Sequence, residues 1–137
     1  PPAAARLPPP SDGRGLRTMH AKKRGALIRA SAVAGAIMGA GSDAAVAAID
    51  ACAAQLGLAF QIVDDILDVE GASEELGKTA GKDAAAGKPT YPSLFGLDAS
   101  RRMARECIER AGASLREGDI RDDRLLEIGR WIVERSN

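Results

Sequence analysis

Aromatic residues are scarce in this 137-residue sequence, which has one Trp, one Tyr and two Phe. A sheet draws on aromatic and β-branched side chains, so the scarcity argues against one. Cysteine is nearly absent as well: Cys52 and Cys107 lie far apart, with no CxxC or Cys/His spacing. That excludes a disulfide framework and reads as two buried, reduced thiols in a cytoplasmic protein. An excess of charge of either sign is missing too, with 19 Lys and Arg against 19 Asp and Glu. Nothing global therefore recommends nucleic acid or an anionic membrane as partner, and any electrostatic function has to be local. Apolar runs of about eighteen residues are all interrupted by a charge or a glycine cluster, which argues against a membrane span. Residues 1–17, rich in Pro, Ala, Gly and Arg, lack the apolar core of a signal peptide. What the chain does have is alanine and glycine, with Leu, Ile, Val and Met to fill the gaps, a composition suited to closely approaching helices.

The length fits one domain. Residues 1–17 read as a disordered start or linker and 18–137 as the folded part. Helical periodicity runs from about Thr18 to Ala40, where Leu27, Ile28, Ala34 and Met38 can share a face. Gly41 and Ser42 interrupt it, and Ser42 or Asp43 can cap a long helix from about Ala44 to Val69. Between Glu70 and Pro89 the chain is polar and glycine-rich, and reads as a long loop of the kind that usually has a job. Helical patterns resume over Tyr91–Leu115 and Asp122–Glu134. The fold class expected is all-α.

The chemistry begins on the long helix. At 100° per residue, Gln61, Asp64, Asp65 and Asp68 fall in one stripe about a quarter of the circumference wide, with apolar residues around the rest. A solvated helix face mixes signs; this one is purely acidic. Two such carboxylates about 6 Å apart repel by roughly 3 kcal/mol at an effective dielectric near 20, and a bound cation reverses that. Hard oxygen ligands select magnesium or calcium, and the spacing is not that of an EF-hand. Magnesium, which shares itself between carboxylates and phosphates, fits best. Three Gly-Lys pairs follow, ending at Lys78, Lys82 and Lys88. They supply the cations that a polyanion needs, although the arrangement is not a Walker loop. Together the stripe and the lysines describe a magnesium-bridged diphosphate site, against the plainer reading of a solvated acidic face beside ordinary surface lysines.

The stretch Gly57–Asp68 (GLAFQIVDDILD), then Leu76-Gly77-Lys78 and Gly87-Lys88-Pro89-Thr90-Tyr91-Pro92, closely resembles the trans-prenyl diphosphate synthases, especially the bacterial farnesyl and geranylgeranyl type. Upstream, His20–Ala30 resembles the segment in which that family carries a Lys-Thr pair before glycine. The resemblance covers about His20 to Arg135. It implies an isoprenoid synthase-type helical bundle, here only its carboxyl-terminal helices, and a homodimer in the full-length enzyme. It also implies condensation of isopentenyl diphosphate with an allylic diphosphate. Asp64, Asp65 and Asp68 would correspond to the second aspartate-rich motif, with Mg2+ as cofactor and Asp64 as direct ligand. Lys23, Gln61 and Lys78 would be catalytic, and Lys23, Arg24, Gln61, Lys78 and Lys88 would bind substrate.

Two departures stand out. Arg24 occupies the place of the family's threonine, and a guanidinium there either binds phosphate or disturbs the pocket. Nothing before His20 resembles the first aspartate-rich motif or the isopentenyl diphosphate site. The chain is thus expected to hold half of an active site, to lack prenyl transfer alone, and to be poorly packed or associating, with one apolar side of the 44–69 helix uncovered. The alternatives are a non-catalytic accessory module that binds an intact synthase, and a terpene cyclase relative, which the lysines and the Asp64-Asp65-Ile66-Leu67-Asp68 order disfavour.

Overall fold

The computed structural model describes residues 24–76, 89–121 and 123–135, and these form five α-helices and no strand. In chain order they are α1 (Gly25–Met38), α2 (Asp43–Leu76), α3 (Tyr91–Phe95), α4 (Leu97–Glu117) and α5 (Asp123–Glu134). The all-α expectation holds for every described residue.

α2 is the axis of the molecule. Its 34 residues extend about 50 Å at 1.5 Å per residue. Ser42 starts it, its Oγ accepting the Ala45 N–H at 3.2 Å. One side of α2 carries Cys52, Leu56, Ala59, Val63 and Ile66, all buried at the three- and four-residue spacing of a helix face. α4 answers with Ala104, Cys107, Ala111 and Leu115 at the same spacing. Small residues on both sides let the two axes approach closely. The contacts fall into two clusters. One joins Ile62, Val63 and Ile66 to Tyr91, Cys107 and Ile132; the other joins Cys52 and Leu56 to Ala111 and Leu115. Both cysteines are buried. By length and a mean hydropathy of 1.7, residues 43–74 could also cross a membrane; here their apolar face lines these clusters.

α1 runs antiparallel to α2 and is fixed at two points. A Cβ on Gly57 would stand 2.9 Å from Gly25 Cα, so the two backbones meet there with no side chain between. One turn further along α1, Arg29 grips Asp50 through two bonds, Nε to Oδ1 at 2.7 Å and Nη2 to Oδ2 at 2.6 Å. The hydrogen bond from Arg29 holds the Asp50 carboxyl below the usual carboxylate range. A depressed carboxylate stabilises the fold above its unfolded pKa, and that contribution fades as pH falls through the folded value; at this exposure it is small.

Two boundaries and one buried face differ from the sequence expectation. α2 does not end near Val69 but continues through Glu70 to Leu76, where Glu70 accepts from Arg101 of α4, a tertiary contact that local composition does not announce. The helix expected over Tyr91–Leu115 is two helices, broken at Gly96, whose φ of 84° and ψ of 161° no helix accommodates. In α1, Leu27 (73% exposed) and Met38 (87%) do not share a buried face with Ile28, and Ile37 is 61% exposed beside them. The half-buried side of α1 is Ile28, Ala32 and Ala36.

Glycines separate packing need from tolerance. A Cβ on Gly118 would overlap that of Ala48, whereas one on Gly35 would meet nothing within 4 Å. Gly118→Ala is expected to destabilise the fold by about 1–3 kcal/mol through overpacking, and Gly35→Ala to stabilise it by roughly 1 kcal/mol through helix propensity. Chemical denaturation followed by circular dichroism would show midpoints moving in opposite directions.

Candidate functional site

The antiparallel crossing of α1 on α2 determines what meets the acidic stripe. Because Gly25 lies on Gly57, the residue before it, Arg24, stands over the stretch two turns further on, and its Nη1 donates to Asp64 Oδ2. From the opposite side the end of α5 delivers Arg135, whose Nη2 donates to Asp64 Oδ1. The Arg135 guanidinium also lies 4.5 Å from the centre of the Phe60 ring, a cation–π contact that fixes it from one face. Asp64 therefore has a guanidinium on each oxygen.

Asp65 sits beside Asp64 in sequence but faces inward. It is buried and accepts the Tyr91 N–H on Oδ2 and the Gln61 Nε2–H on Oδ1, both at 3.1 Å. Tyr91 opens α3, and Thr90 and Ser93 complete a capping box there, Thr90 Oγ1 accepting the Ser93 N–H at 3.2 Å and Ser93 Oγ accepting the Thr90 N–H at 2.9 Å. So Asp65 and Gln61 dock the start of α3 against the middle of α2. Asp68 is exposed, one turn beyond Asp64 on the same side.

Among the described residues no three His, Cys, Asp or Glu side chains converge into a closed metal cage. α2 instead presents Asp64 and Asp68 at i and i+4, with Cβ atoms about 5–6 Å apart by helix geometry. Two hard oxygen donors on an open face fit magnesium, which keeps several waters and shares itself with phosphate, better than an ion needing an all-protein cage. Beside the stripe, a cavity of about 250 Å³ lies between α2, α4 and α5, lined by Leu67, Arg101, Arg105 and Arg135 among others.

Of the residues singled out from sequence, Arg24, Gln61, Asp64, Asp65 and Asp68 come together at this end of the bundle. Lys23, Lys78, Lys82 and Lys88 lie outside the described residues. Sequence reasoning missed Arg135 and Tyr91 as site components. Arg135 is 71 residues from Asp64, and a basic residue at the end of an amphipathic helix reads as an ordinary dipole partner. Tyr91 contributes through its backbone N–H, which no side-chain pattern marks.

Long packed helices carrying an acidic stripe on α2 define an all-α bundle of the isoprenoid synthase type. The polyprenyl synthetase family profile matches residues 12–121, and the chain belongs to that family. It is 46% identical over 123 residues to geranylgeranyl pyrophosphate synthase 10, mitochondrial, of Arabidopsis thaliana, covering 89% of this chain and 36% of that protein. It is 40% identical over 122 residues to a dimethylallyltranstransferase of Fischerella ambigua (strain UTEX 1903), covering 89% and 35%. The crystal structure of a candidate farnesyl-diphosphate synthase from Marinomonas sp. MED121 superposes with a TM-score of 0.69 at 31% identity, over 90% of this chain and 40% of that one. The chain thus spans little more than a third of the length of these relatives.

Proposed function

We propose that this chain supplies the carboxyl-terminal, magnesium-binding half of a prenyltransferase that joins isopentenyl diphosphate to an allylic diphosphate. The observation that carries the reading is the placing of Asp64 and Asp68 one turn apart on one side of α2, with Arg24 on Asp64, in a chain so similar to geranylgeranyl pyrophosphate synthases. Asp64 and Asp68 would hold the ion, and Lys23, Lys78 and Lys88 the allylic diphosphate. When bound, magnesium would stabilise the charge that grows on the departing diphosphate. Asp65 and Gln61 serve by position: they tie the start of α3 to α2. Phe60 and Arg135 stack on one flank. The site would be completed by helices bearing a first acidic motif, and two copies of the complete enzyme would pair. Buried cysteines at positions 52 and 107 suit a reducing compartment, and the cytoplasm is the location we propose.

A chimera tests this. Residues 24–135 would replace the matching segment of the Fischerella ambigua dimethylallyltranstransferase, and condensation of radiolabelled isopentenyl diphosphate with an allylic diphosphate would be measured. Product formation well above that of the same chimera carrying Asp64→Ala is expected. A folded, dimeric chimera without activity would refute the proposal.

A further inference from the structure

Both oxygens of Asp64 are occupied by permanently charged groups, and the two groups are held very differently. Arg24 is 61% exposed along its side chain, and it caps α1 without a side-chain hydrogen bond of its own to the helix. Arg135 is 20% exposed; it lies over Phe60, its N–H donates to Trp131 O at 3.0 Å, and its Nε is buried without a hydrogen-bond partner. A guanidinium does not lose its proton in the physiological range, so neither arginine leaves Asp64 by giving up its charge. A competing cation, or an anion that draws the arginines away, can displace them.

We infer that Arg24 and Arg135 guard Asp64, filling the place of a divalent cation and yielding to it, so that metal binding is coupled to release of the carboxyl-terminal end of α5. The inference rests on the reading of Asp64 as a metal ligand. A divalent ion and a guanidinium compete for the same oxygens, and their positive charges repel across a few ångströms, so each weakens the binding of the other by the same factor. Arg24, exposed and loosely held, leaves at little cost. Arg135 has to give up its pairing with Asp64 at the flank of Phe60, and that displacement reaches Trp131 one turn back. Once free, both guanidinium groups present forked donors suited to a diphosphate. An arginine in place of a threonine at position 24 therefore raises the threshold for metal without removing the site.

Two readouts that do not depend on activity test the inference. Free Mn2+ would be titrated by electron paramagnetic resonance against the full 137-residue chain and its variants. Mg2+ would be titrated while following the emission of Trp131, the only tryptophan. Arg24→Thr and Arg135→Gln should each tighten Mn2+ binding about five-fold, the low end of usual coupling energies, and Asp64→Asn should weaken it. Magnesium should shift Trp131 emission in the parent chain and in Arg24→Thr, but not in Asp64→Asn. If Asp64→Asn weakens binding while both arginine variants leave it unchanged or weaker, the guard is refuted and the metal site stands. Mn2+ binding indifferent to Asp64→Asn would overturn both. Arg24→Thr alone decides the matter if Arg135→Gln does not fold, because position 24 is exposed.

Discussion

Asp64→Ala in the active chimera is expected to lower turnover by roughly a hundred- to a thousand-fold, the scale of losing one well-placed electrostatic contact to a developing charge. Its neighbour should behave differently. Asp65→Ala removes the acceptor of the buried Tyr91 N–H, and an unsatisfied buried donor costs about 1–3 kcal/mol of stability. Steady-state kinetics and thermal unfolding on both variants would separate the roles: Asp64→Ala should act mainly on kcat, Asp65→Ala mainly on the melting temperature. Equal effects on kcat with no change in melting would show that Asp65 serves as a ligand on the same footing as Asp64.

The second large effect is that the 137-residue chain alone should show no prenyl transfer and should associate. Magnesium and diphosphate need anchors from two facing helices, and the described residues provide one acidic helix, so water would reach any cation formed. Association has a more specific origin than the sequence suggested. Among the described residues the exposed large apolar side chains are not on α2 but on α1 (Leu27, Ile37 and Met38), on α3 (Leu94 and Phe95) and on α5 (Ile128 and Trp131), with the two most exposed, Leu27 and Met38, on α1. Exposed apolar stripes of this kind drive helices together. Size-exclusion chromatography should place the chain above its monomer volume, and replacing Leu27 and Met38 with Gln should return it to that volume. A radiometric elongation assay on the same fractions should read background, with turnover restored when a separately expressed amino-terminal half of a relative is added. Robust turnover by the monomer would contradict the half-site reading. A stable complex with an intact synthase, formed without any gain in activity, would favour an accessory role.

Much of this site was legible because a helix turns regular spacing into a face. Asp64 and Asp68 are one turn apart whatever surrounds them, and the all-α fold followed from the same periodicity together with the shortage of aromatics. Asp65 lay in the same stripe, yet it sits at the edge bordering Ile62 and Ile66, both buried. Which edge turns inward depends on where Tyr91 docks, and that is tertiary information. The same holds for Arg135, which meets Asp64 only because α5 folds back along α2, and for the last turns of α2, held by the pairing of Glu70 with Arg101. Departures at Leu27 and Met38 have a further cause: periodicity says which residues share a face, but not whether that face has a partner.

The break between α3 and α4 carries a consequence about handedness. At Gly96, φ of 84° with ψ of 161° is a region essentially closed to L-residues, yet a Cβ there would meet no atom within 4 Å. The position has room for a side chain and rejects it on chirality alone. Reflecting the dihedrals gives φ near −84° and ψ near −161°, at the edge of the extended region for an L-residue, so a D-alanine introduced by chemical ligation suits the bend better than L-alanine, which strains it. The constraint at this corner is thus one of mirror symmetry, and the direction in which the chain leaves Tyr91 for α4 is set by the one residue that has no hand.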